Sequence, residues 1–187
     1  IPAGNKRQIK LLGKHSIVRK NRKICKHHQG AWYLDPGHPE TTDYLAGIVR
    51  EIVSQYDIDG IHFDYIRYPE NACRFPDRDT FRKYGKGKTL NQWRRDNITS
   101  IVRRLYNETK QLKPWVKVSS SPIGKFRNTN HYSSLGWNAY ETVHQDAQGW
   151  LEMGIHDALF PMMYFKDNHF YPFALDWREN NHNRWVI

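Results

Sequence analysis

Between residues 41 and 56, Tyr44, Leu45, Ile48, Ile52 and Val53 recur at three-to-four spacing, and an apolar, β-prone run follows within a few residues. The first pattern is the stripe of a helix laid on something flat. In the second, Ile61, Phe63 and Tyr65 alternate with His62, Asp64 and Ile66, after Gly60 and before Pro69, which reads as one short strand. Helix, tight Gly turn and buried strand make half of a βαβ unit, and that restricts the chain to parallel α/β architectures. Ligands and catalytic groups collect beyond the carboxyl ends of such strands, so Asp64, Arg67 and Glu70 stand where chemistry is expected.

The same alternation runs through the rest of the chain. Trp32-Tyr33-Leu34 is strand-like and is halted by Asp35-Pro36-Gly37, which makes Asp35 a second strand-end carboxylate. Pro39 and Glu40 suit a helix start, where a missing N–H costs nothing and a carboxylate meets the positive dipole end. Residues 71–88 are polar and long enough for a lid or binding loop. Residues 90–112 form the clearest helix, with Trp93, Ile98, Ile101, Val102, Leu105 and Leu112 on one stripe and Pro114 beyond its end.

A strand over 116–122 ends in hydroxyls, which either meet a ligand or cap the turn. A polar loop over 125–137 leads to a helix over 139–153 with Val143, Ala147, Trp150 and Leu151 inward, closed by Gly154. A strand over 157–164 follows, and residues 184–187 read as an entry into another. Strict alternation argues a parallel sheet or barrel. A complete (β/α)8 barrel needs about 250 residues, so 187 residues read as its middle part, with residues 1–30 a separate leader, residues 31–187 the barrel portion and both ends truncated.

The net charge of +10 resembles a nucleic-acid signature. Its placement argues otherwise: nine Lys and Arg from Lys6 to Lys26 precede the first acid, Asp35, and carry almost all of it. Such a leader reads as solvated or poorly ordered, with a phosphate-binding arm as the alternative; Ser16 to Val18 is at most a strand remnant. Cys25 and Cys73 show no zinc spacing, and Lys26-His27-His28 reads as surface rather than a metal site. No cofactor is called for, and no apolar run approaches a membrane span. Aromatic residues make up 14% of the chain, so either the core is rich in Tyr and Trp or a stacking surface is exposed.

Alternation along the central strand puts His62, Asp64 and Ile66 on the inner face of a barrel, with Phe63 and Tyr65 toward the helices. A carboxylate there suits glycoside hydrolysis, which needs one group to protonate the leaving oxygen and another as nucleophile or base. The stretch D-G-I-H-F-D-Y-I-R-Y-P-E, with Y-L-D-P-G-H-P-E upstream and P-M-M-Y downstream, resembles glycosyl-hydrolase-like family ten over residue 33 to the last. The resemblance implies a (β/α)8 barrel, a bacterial periplasmic or cell-surface setting as an envelope lipoprotein, and glycosidase activity on peptidoglycan strands lacking their peptide stems. A polysaccharide or oligosaccharide is then the partner, and nucleic acid is not.

A fainter resemblance is to family eighteen chitinases, which carry D-G-x-D-x-D-x-E. Asp59, Gly60 and Asp64 match, but His62 stands for the middle aspartate and Ile66 for the acid glutamate. The second catalytic carboxylate therefore lies elsewhere, with Asp167 and Asp35 level and Glu70 behind them. Asp59 reads as a turn residue at the opposite end of the barrel, and Asp146 as structural. Arg67 pairs with a carboxylate or binds an acidic sugar. His62 orients Asp64 or serves as a hydrogen-bonded core histidine. Tyr68, Trp137 and Tyr164 are candidates for stacking on sugar faces, against a core role. A carbohydrate-binding barrel without catalysis is the alternative function.

Overall fold

The computed structural model describes residues 1–129 and 136–187, and part of the 125–137 loop lies outside them. It has two sheets. In the first, β1 (Pro2–Asn5), β3 (Ala31–Leu34) and β2 (Cys25–His28) run antiparallel in the order β1-β3-β2. In the second, β4 (Gly60–Phe63), β5 (Lys117–Ser120), β6 (Ala158–Leu159) and β7 (Trp185–Val186) run parallel in sequence order. The protein is thus mixed α/β with a four-stranded parallel sheet.

The leader is folded, not a loose arm. Asn5 caps α1 (Lys6–Leu12) with a capping box, its side chain accepting from the Gln8 N–H at 3.0 Å while Gln8 reaches back to the Asn5 N–H at 2.8 Å. Ser16 begins α2 (Ile17–Lys20), so 16–18 is a helix entry instead of a strand remnant. Val18 and Ile24 are buried among the surrounding cations and anchor the segment to the core. Gln29 and Gly30 both have positive φ, 47° and 79°, which closes the two-residue hairpin between β2 and β3. The strand at Trp32 is therefore antiparallel, outside the parallel alternation, because a two-residue turn can only reverse the chain.

Helix α3 (Pro39–Gln55) begins at Pro39 with Glu40 in its first turn. Its buried face is Thr41, Ala46, Val49 and Val53, packed on α5 (Leu90–Leu112). Tyr44, Ile48 and Ile52 lie on the exposed side. The helix carries two apolar stripes and α5 covers one. Thr89 caps α5 by accepting from the Gln92 N–H, and Trp93, Ile98, Ile101, Val102 and Leu105 are its core face.

The 71–88 excursion contains α4 (Arg78–Tyr84) and buries Ala72, Phe75, Asp77 and Thr80. It is a packed connection, not a lid. Its anchor is Arg94 on α5, which grips Asp77 through Nε at 2.9 Å and Nη2 at 2.6 Å, both side chains almost inaccessible. The helix expected over 139–153 breaks into α6 (Ala139–Thr142) and α7 (Ala147–Glu152). Between them His144 adopts φ +56° and Asp146 caps α7, accepting from the Gly149 N–H. Chain ties explain the break: Gln145 accepts from the Ile123 N–H and donates to the Ile66 carbonyl, and Val143 accepts from the Tyr68 N–H. Last, α8 (Tyr171–Glu179) buries Phe173 and Trp177, whose indole donates to the Gly124 carbonyl at 2.6 Å.

The parallel sheet has two unlike faces. Phe63, Val118, Ser120 and Leu159 point into the core, and His62, Phe160 and Trp185 lie on the open side. No helix among the described residues is long and apolar enough to cross a membrane.

Removing one partner of the buried pair, as in Arg94→Met or Asp77→Asn, leaves the other uncompensated and lowers stability by about 3–5 kcal/mol; urea denaturation reads this, and Arg94→Met with Asp77→Leu loses less than either single change. Burial holds His144 down to about 3, helped by Arg94 and Arg95, and burial holds His156 down to about 4. The unfolded chain binds these protons first, so the stability they give is full above pH 6.5 and is lost as pH falls toward 4. The slope is about 1.4 kcal/mol per pH unit for each histidine; His144→Gln removes its share in denaturation curves between pH 7 and 4.5.

Candidate functional site at the carboxyl end of the first parallel strand

Strand β4 ends at Phe63, and the two-residue alternation ends with it. The Asp64 carboxylate accepts from the Tyr65 N–H at 2.7 Å, Tyr65 has φ +55°, and the Arg67 N–H reaches the Tyr65 carbonyl at 2.8 Å. This turn reverses the expected facing: Tyr65 emerges and Ile66 is buried. A left-handed conformation in a bulky residue is costly and gathers at functional positions. Ile66, in the place of the chitinase acid, is thus a core side chain tied through its carbonyl to Gln145.

Asp64 is exposed at the strand's end. A cleft of about 220 Å³ is lined by Gln29, Tyr33, Arg67, Glu70 and by Tyr65, the residue after Asp64, with Ile1 in its wall donating to the Arg67 carbonyl at 2.8 Å. The Arg67 guanidinium lies 4.8 Å from the centre of the Tyr65 ring, and its Nη1 donates to the Tyr68 carbonyl at 3.4 Å. Burial pulls the Arg67 pKa down, and attraction to Tyr65, Glu70, Asp64 and Tyr33 opposes that.

His62 is held by serines, and no hydrogen bond among the described residues joins it to Asp64. Its Nδ1 meets Ser119 Oγ at 2.8 Å and its Nε2 meets Ser121 Oγ at 2.6 Å, with Phe160 edge-on at 5.5 Å. Hydroxyls at the end of β5 thus hold the histidine across the open face of the sheet. Ser120, on the other face, meets His156 Nε2 at 2.5 Å in the core.

Asp35 is fully buried. Its Oδ2 accepts from Thr80 Oγ1 at 2.5 Å and its Oδ1 from the Gly37 N–H at 3.0 Å, with Lys26 Nζ at 3.7 Å, and burial raises its pKa. Both oxygens serve the turn into α3 and the contact with α4. Tyr68 borders the cleft, but its side chain is buried, edge-on to Phe75 and His144 with Arg94 over its ring, so the ring belongs to the core. Burial raises its hydroxyl pKa well above the usual range.

Asp167 is exposed at the opening of a 3₁₀ turn (Asp167–His169) with φ +49°. Tyr164 is 86% exposed and Trp137 41%. Among the described residues, no hydrogen bond or ion pair links these three to Asp64. Asp59 precedes β4, with its carbonyl accepting from the Lys117 N–H. The structure therefore brings Asp64, Tyr65, Arg67 and Glu70 to one place. Sequence reasoning missed Gln29 and Tyr33, which the leader hairpin carries into the cleft wall; the residue pair Gln29-Gly30 was the available signal.

The glycosyl hydrolase-like 10 family profile matches residues 11–187. Glycosyl hydrolase DigH of Escherichia coli (strain K12) is 36% identical over 156 residues, covering 80% of this chain and 36% of that protein. Glycosyl hydrolase YngK of Bacillus subtilis (strain 168) is 30% identical over 170 residues, 86% of this chain and 33% of that protein. An S-layer-related protein of Niallia circulans is 25% identical over 114 residues, 58% of this chain and 7% of that protein. The chain spans about a third of the length of the two glycosyl hydrolases it matches. With the family profile covering nearly its whole length, this chain belongs to the glycosyl hydrolase-like 10 family.

Proposed function

We propose that the intact protein is a glycoside hydrolase of the bacterial envelope, cleaving peptide-free peptidoglycan strands with Asp64 as one of two catalytic carboxylates. The observation that carries this is Asp64 itself: an exposed acid at the carboxyl end of a parallel strand, followed directly by Tyr65 and Arg67, which line a cleft. Strands in sequence order, with a buried face toward the helices and an open face opposite, fit consecutive units of a (β/α)8 barrel, whose active sites lie at that end. The names of DigH and YngK agree with hydrolysis of a glycan. The envelope setting, periplasm or cell surface, comes from the family resemblance, and the name of the S-layer-related relative agrees with it.

Asp167 is the proposed second carboxylate. It is exposed on the loop after β6, two strands from β4 in the same parallel sheet, as a group that shares a substrate must be. Asp35 drops out of the chemistry, because both of its oxygens are spent on Thr80 and Gly37. One carboxyl protonates the leaving oxygen and the other acts as nucleophile or base.

In the full-length protein, Asp64→Asn lowers kcat on peptide-free strands by about 100- to 10,000-fold, the scale of lost acid–base catalysis, with an unchanged melting temperature. Undiminished turnover overturns the assignment, and binding without cleavage by the unsubstituted protein favours a carbohydrate-binding barrel. Asp35→Asn does the reverse, lowering the melting temperature because one of its two buried acceptor oxygens becomes an NH2 facing a group that now donates to it.

A further inference from the structure

Arg67 is only 6% exposed, and a cation that deep normally has a carboxylate against it, because an unpaired buried charge is costly. Among the described residues, none of the ion pairs involves Arg67. Its Nε has no hydrogen-bond partner there, and Nη1 has only the long bond to the Tyr68 carbonyl. Glu70 and Asp64 attract it from beyond ion-pair distance. The guanidinium is nevertheless placed firmly, with the Tyr65 ring across it and the cleft in front of it.

We propose that this cleft is a subsite for a carboxylate-bearing sugar, with Arg67 binding the carboxylate. A planar guanidinium matches a carboxylate in two parallel hydrogen bonds, which would supply the missing counter-charge. Tyr65 and Tyr33 offer ring faces for the apolar side of a sugar, and Gln29 and Glu70 offer polar contacts for its hydroxyls. The volume of about 220 Å³ is below the roughly 300–1,000 Å³ of drug-sized pockets. It suits one sugar unit.

The identity of the polymer rests on the proposed function. In a peptide-free strand every second sugar bears a free lactyl carboxylate, and a peptide stem converts that group to a neutral amide. Recognition by Arg67 therefore makes the absence of the stem a positive requirement, independent of any steric exclusion of the peptide. Neutral chitin-type strands lack the group.

The test uses the full-length protein carrying Asp64→Asn, so that binding is read without turnover, and calorimetry with peptide-free glycan strands before and after chemical reduction of their carboxyls to alcohols. Reduction weakens binding by about 10- to 100-fold, the scale of a charged hydrogen bond. Adding Arg67→Met weakens the acidic strands by a similar factor and brings the ratio of acidic to reduced strands close to one. Equal binding of both strands before Arg67 is changed, an unchanged ratio after Arg67→Met, or no binding of either strand overturns the subsite. If Arg67→Met does not fold, the acidic-to-reduced ratio with Arg67 present decides. Cleavage is scored separately in the unsubstituted protein: cleavage with no discrimination sinks the subsite alone, and discrimination with no cleavage sinks the hydrolase alone.

Discussion

The buried pair between Arg94 and Asp77 is the interaction on which the rest of this structure leans. It joins the long α5 to the excursion that follows β4, and the guanidinium that makes it also lies over Tyr68 and beside His144. Three separate stretches thus converge on one cation. Two charges so deep are tolerable only when the geometry is good and the remaining donors are used, and here the second oxygen of Asp77 and the Phe75 carbonyl take them up. Tyr68 is held in place by that packing, and Arg67, its neighbour in the chain, is placed by it in turn.

Around that anchor, the site is built by segments that give up regular structure in order to tie the loops together. Gln145 does this with a single side chain, its amide oxygen taking the N–H after β5 and its amide nitrogen reaching the carbonyl after β4. The cost is a broken helix and a histidine in the left-handed region. The gain is that the end of β4 is held rigidly enough for Tyr65 to sit in a strained conformation with its ring against Arg67. On the open side of the sheet, His62 bridges to Ser119 of β5 and Ser121 just beyond it, which ties the two strands together.

Much of the fold was legible because it depends on local pattern. The stripe of α5, the Pro39 start of α3, the parallel strands and the turn role of Asp59 all follow from spacing and backbone chemistry within a few residues. Where two patterns competed, the sequence was ambiguous. Helix α3 carries apolar residues on two faces, and periodicity cannot say which face α5 will cover. The strand at Trp32 looked like one more parallel strand because nothing in its own four residues reveals that a positive-φ turn at Gln29 and Gly30 folds it against the leader.

The same division holds for the site. Residue types along one strand and one family resemblance were enough to pick out Asp64, Arg67 and Glu70 as a group, since all three follow within a few residues of a strand end. Burial and partnership are different, because they are set by residues far apart in the chain. Asp35 and Asp64 are both acids near strand ends, yet Thr80, forty-five residues from Asp35, helps make it a structural acceptor, while Asp64 is exposed. Local order alone determined the strands, the helices and the candidate acids. Only tertiary packing decided which acid meets solvent, which tyrosine becomes core and which arginine is buried without an ion-pair partner among the described residues, because each of those outcomes depends on what the rest of the chain brings alongside.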